Sequence, residues 1–192
     1  MMSQIFGQFR PDLHPSKQYV TIVFAPASLP IRWSNIGLSA DFLASYFEAF
    51  FPQEATKAVS REEIKDSISY IANELMENAV KFHHDRSQEI SITVSLSNEE
   101  LVFLTSNTVD APNLPGFYSL IQELTSTDPG DLLIRRIETN AKNAINAGSG
   151  LGLLTIMSDY HAKIGWKFEV NPTRPGISNV TTMVQLPFSK EI

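Results

Sequence analysis

A long helix with one apolar face limits the architectures open to this chain more than any other feature. In SREEIKDSISYIANELMENAVKFHH, Ser60 to His84, Ser60 and Glu63 stand in a capping-box arrangement. The helical pattern then runs to about Phe82. Ile68, Ile71, Leu75, Ala79 and Phe82 recur at spacings of three and four and form one apolar face. Glu74, Asn78 and Lys81 fall at i, i+4 and i+7, a narrow polar row along the border of that face. A carboxylate, an amide oxygen and an ammonium set beside a core suit a water, a hard cation and a phosphate, respectively. A solvated Glu/Lys edge with an incidental Asn accounts for the same three residues.

Strands and further helices surround this element. YVTIVFAP, Tyr19 to Pro26, alternates and is rich in β-branched and aromatic residues, which predicts a strand stopped by proline after a polar lead over residues 1–18. SADFLASYFEAFFP predicts a helix from an N-cap at Ser39 to Pro52, with Phe42, Leu43, Tyr46, Phe47 and Phe50 on a face that reads as core. An exposed partner groove is the alternative for those aromatics. EISITVSLSNEELVFLTSNT predicts an antiparallel hairpin of Glu89–Leu96 and Leu101–Asn107. Two helical candidates follow, FYSLIQELTS and GDLLIRRIETNAKNAI. KIGWKFEVNP and VTTMVQLPF close the chain as strands around the turn TRPGIS. Strands and helices mix without strict βαβ alternation, so the expected fold is an α+β, two-layer sandwich. Its sheet is mixed but mostly antiparallel, with helices on one face.

GSGLGLLTIMSDYHA, Gly148 to Ala162, places three of the nine glycines directly before a helical pattern. Such a cluster lets the main chain turn tightly or lets a group approach closely, and a helix start adds unpaired N–H groups that favour anions. Phosphate is the candidate ligand; a glycine-rich turn that binds nothing is the alternative. No GxxxxGK[ST] occurs, and the cluster follows a helical pattern rather than a strand, which removes the P-loop and Rossmann readings.

Composition narrows the partners. At 192 residues, 43 % hydrophobic and 19 % charged, the chain fits a single domain, residues 1–192. A net charge of -6 and a pI near 5.2 argue against a nucleic-acid surface. Zero cysteines exclude disulfides and thiolate metal sites and favour a reducing compartment. No apolar run is long enough to span a membrane, so the expectation is cytoplasmic, without membrane association. His14, His83, His84 and His161 show no HExxH spacing.

Taken together, ELMENAVKF (Glu74 to Phe82), GSGLGL (Gly148 to Leu153) and VTTMVQLP (Val180 to Pro187) resemble the N-box, the second glycine box and the closing strand of the GHKL ATPase superfamily. The resemblance implies a Bergerat fold that holds ATP or ADP between a sheet and the N-box helix, under a lid expected at residues 109–147. It makes Glu74 the general base, Asn78 the magnesium ligand and Lys81 a phosphate contact. Gly148, Gly150, Leu151 and Gly152 would meet phosphate, with Thr181 beside the adenine. Where the family carries an Asp and a Gly-rich turn after the hairpin, this chain has Asn107 and no glycine until Gly116. An Asn carbonyl can accept from an adenine amino group, without charge; Asp110 is three residues further on.

The layout of strand, helix and N-box helix is most similar to stand-alone anti-sigma-factor serine/threonine kinases, and within these the relaxed adenine motif and longer lid look like the SiaB-type partner-switching branch. That implies γ-phosphoryl transfer from Mg-ATP to a Ser or Thr of a small antagonist protein, and a homodimer. The alternative is a catalytically degenerate nucleotide-binding module that senses ATP or ADP, or sequesters a partner, without turnover.

Overall fold

The structure is a computed structural model; it describes residues 3–13, 17–25, 33–51, 60–85, 87–97, 99–142 and 150–188. The strands are β1 (Ser3–Gly7), β2 (Gln18–Phe24), β3 (Ile90–Leu96), β4 (Glu100–Asp110), β5 (Lys163–Val170) and β6 (Ile177–Pro187). They form one sheet in the order β1-β5-β6-β4-β3-β2, and all five pairings are antiparallel. The helices are α1 (Trp33–Glu48), α2 (Arg61–Phe82), α3 (Leu114–Ser126), α4 (Pro129–Lys142) and α5 (Gly152–Ser158). None of them is long and apolar enough to cross a membrane.

Alternation along the strands sets the layers. Ile92 and Val94 of β3, Leu101, Phe103 and Val109 of β4, Val180, Val184 and Leu186 of β6, and Ile164, Trp166 and Phe168 of β5 share the core with Ile68, Ile71, Leu75 and Ala72 of α2. The opposite face carries Thr21, Ser91, Ser106 and Thr181, and lines a cleft of about 600 Å³. The sandwich is thus two-layered, with helices on one face.

The capping box of α2 forms as its sequence predicts. Ser60 Oγ accepts from Glu63 N at 3.1 Å, and Glu63 Oε2 accepts from Ser60 N at 2.7 Å. The start of α1 differs from expectation. The described helix already runs from Trp33, and Ser39 lies inside it, its Oγ donating to the Asn35 carbonyl at 2.8 Å. A serine that bonds back one turn is compatible with a helix interior, so it marks no boundary. The large apolar residues of α1 and the turn after it also divide: Leu43 and Phe47 are buried, whereas Phe42, Tyr46 and Phe50 are exposed.

The polar lead contains a strand. β1 pairs with β5 at one edge, with Phe6 opposite Trp166. β2 lies at the other edge, and after β1 the chain runs onto the open face, where Gln8 O accepts from Gln185 Nε2 at 2.7 Å and Arg10 pairs with Glu100.

Candidate functional site

Glu74 projects from the middle of α2 toward the start of α5. A Cβ built on Gly152 would overlap its carboxylate, so only glycine leaves room there. Gly150, with φ +79°, supplies the left-handed turn that aims the chain into α5. Leu151 then opens the helix with no side-chain cap, and its carbonyl accepts from Thr155 N at 2.8 Å. Tyr70 of α2 stacks on Tyr160, just past the end of α5, with centroids 5.4 Å apart. Gly148 lies outside the described residues.

The electrostatics suit a proton acceptor. Burial pushes the half-buried Glu74 carboxyl above the ordinary carboxylate range, and the neighbouring Glu77 charge adds to the effect. Asn78, one turn along α2, is also half-buried. Lys81 is exposed, with Nζ 5.3 Å from the centroid of the adjacent Phe82 ring.

A cation absent from the sequence reading does approach the glycine turn. Arg136 of α4 reaches Gly150, its Nη1 lying 3.2 Å from the position of a Cβ there, and it pairs with Glu123 of α3. Nothing in LLIRRIETNAK distinguishes Arg136 from Arg135; only the packing of α4 on α5 selects it.

Asn107 and Thr181 lie on opposite faces of the sheet. Asn107 is buried on the helix side opposite Val180, while Thr181 pairs with Ser106 and meets its hydroxyl at 3.3 Å on the open side. The period of two forces this separation, and the buried Thr182, opposite Thr105, is the β6 threonine that shares the helix face. Asp110 ends β4, beside His84 Nδ1 at 3.4 Å.

The arrangement of the elements recurs in solved proteins. A chain of the crystal structure of the SiaB–SiaC complex from Pseudomonas aeruginosa superposes with a TM-score of 0.61 at 15 % identity, covering 86 % of this chain and 89 % of that one. The fold is of the Bergerat type. No protein-family model and no curated protein sequence matches the chain.

Within this Bergerat-type sandwich, the segment expected to be a lid is largely helical. It contains a 3-10 turn over Ala111–Asn113, then α3 and α4. Ile121 and Leu124 of α3 are buried, and Phe117 and Tyr118 rest on Phe168 with centroids 5.3 and 4.9 Å away. Phe168 sits on the same face as Asn107, with Val180 between them. Aromatic packing from α3 therefore covers the sheet beside Asn107.

The junction of α2 with β4 is fixed by His83. Its Nδ1 accepts from Thr108 N at 3.3 Å, which leaves Nε2–H to donate to Gln88 O at 3.2 Å. Burial holds this imidazole below the usual histidine range, against the opposing effect of the Gln88 carbonyl. Among the described residues, no group of three or more His, Asp or Glu side chains is placed to hold a metal ion.

Proposed function

We propose that the chain is an ATP-dependent protein serine/threonine kinase of the anti-sigma-factor type, which phosphorylates a small antagonist-like protein in a partner-switching pathway. The observation that carries this reading is the contact between Glu74 and the glycine turn at Gly150 to Gly152. It sets Glu74, the base in this reading, against Gly152 of the turn that would meet phosphate, although the two lie far apart in sequence. The fold of the SiaB–SiaC chain, from a complex of two proteins, supports the partner.

The donor set fits Mg-ATP. The γ-phosphoryl group comes from ATP, and magnesium neutralises its developing charge when bound. In this reading Asn78 would hold the ion together with phosphate oxygens, in keeping with the lack of an acidic cluster among the described residues. Gly148, Gly150, Leu151 and Gly152 would face phosphate, and Asn107 the base. Glu74 takes the proton of the acceptor hydroxyl, and the upward shift that burial gives its pKa makes it a stronger proton acceptor. Glu74→Gln is expected to leave nucleotide affinity within a few-fold while phosphoryl transfer falls by about 100-fold or more. Unchanged transfer removes Glu74 as the base.

A second reading rests on a different observation, the packing of Phe117 and Tyr118 on Phe168 beside the uncharged Asn107. It makes the chain a nucleotide-sensing or partner-holding module without turnover. Nucleotide binding without transfer to any cognate protein would select it.

A further inference from the structure

Helix α1 is apolar on two sides. Ile36, Ala40, Leu43, Ala44 and Phe47 face the core. On the outer side Leu38, Phe42 and Tyr46, followed by Phe50, keep 69, 53, 38 and 45 % of their surface exposed. Four-residue spacing sets them along one ridge, and their rings adjoin: Phe42 and Tyr46 lie 6.3 Å apart, Tyr46 and Phe50 5.5 Å. A contiguous ridge of large apolar side chains marks a surface built to be covered.

One residue back on each turn, Gly37 and Asp41 border a cleft of about 340 Å³, whose other wall is Asp66, Ser69, Tyr70 and Asn73 of α2. Asp41 Oδ1 accepts from Ser69 at 2.9 Å. Among the described residues neither Asp41 nor Asp66 has an ion-pair partner, whereas Glu48 at the end of the same helix is paired with Arg61 and Lys65. The face is therefore an apolar ridge flanked by two uncompensated carboxylates and an aromatic ring.

Charge decides the occupant. α1 carries no Lys or Arg, so a second copy packing α1 on α1 brings acid to acid with no cation on either helix. We propose that this face docks a different protein, through an amphipathic helix that lays apolar side chains on the Leu38–Phe50 ridge and places one Lys or Arg in the Asp41–Asp66 cleft. The cation gains two carboxylates and the face of Tyr70. The proposal is independent of nucleotide chemistry.

The test uses the full-length, isotope-labelled chain and two synthetic helical peptides, each with a leucine stripe, one with a central arginine and its twin with glutamate there. The arginine peptide should shift the amides of Leu38, Asp41, Phe42, Ser69 and Tyr70. Replacing its arginine by glutamate, or making Asp41→Asn with Asp66→Asn, should weaken binding about tenfold or more. Phe42→Ser should abolish it while the rest of the spectrum stays dispersed. Equal affinity for the two peptides, or no shift on this face, overturns the proposal. A dimer in sedimentation equilibrium that Phe42→Ser dissolves overturns it too, by making the occupant a second copy.

Discussion

The Glu74 carboxylate occupies the space that a side chain on Gly152 would need. Helix α2 and the turn into α5 are thereby fitted to each other at one atom's resolution. Gly152→Ala should destabilise the chain by about 1–3 kcal/mol, the usual cost of overpacking. Combining it with Glu74→Ala should recover much of that loss, because the shortened side chain vacates the space. Denaturant melts of the two single variants and the double variant measure the coupling. Strictly additive losses would contradict the contact.

Burial raises the Glu74 pKa, so the folded chain binds this proton more tightly than the unfolded one does. The favourable contribution is complete below the unfolded carboxyl range and is lost as pH rises through the raised value. Glu74→Gln, which stays neutral, should therefore raise the melting temperature at pH 7–8 and leave it nearly unchanged near pH 4. A stabilisation that is equal at both pH values would locate the effect outside ionisation.

His83 works in the opposite sense. Its Nδ1 must remain an acceptor for Thr108 N–H, and burial lowers its pKa. The stabilising bond is present above the ordinary histidine range and is lost as pH falls through the depressed value. In a histidine proton-resonance titration, His83 should protonate below the ordinary histidine range. Titration of His83 above that range would contradict the bond.

Ser60 closes the N-terminus of α2 through both halves of its capping box. Ser60→Ala should cost about 1 kcal/mol, and Ser60→Asp much less, as read by chemical denaturation.

The parts of this molecule that were legible in the sequence are those with strong local signals. Ser60 and Glu63 define the start of α2 because both capping partners are three residues apart, and the hairpin of β3 and β4 follows from two β-branched runs around one turn. Ser39 misled because a helix interior tolerates a back-bonded serine. β1 was hidden because an edge strand of five residues sets little besides Phe6 on the core. The faces of Thr181 and Thr182 depend on register with β4, which only the assembled sheet fixes. Arg136 and His83 act through contacts between separate elements, and no motif marks them. The motif residues Glu74, Gly150 and Gly152 were legible as chemistry, but their juxtaposition is a product of how α5 packs on α2.

The central claim is that Asn78 and the glycine turn belong to one nucleotide site, and calorimetric titration of the purified chain with ATP tests it most directly. Measured with magnesium and then with EDTA, beside Asn78→Ala, binding should depend on magnesium and weaken about tenfold or more in the variant. Absence of binding at millimolar nucleotide in a folded chain, or binding indifferent to both magnesium and Asn78, would contradict the account.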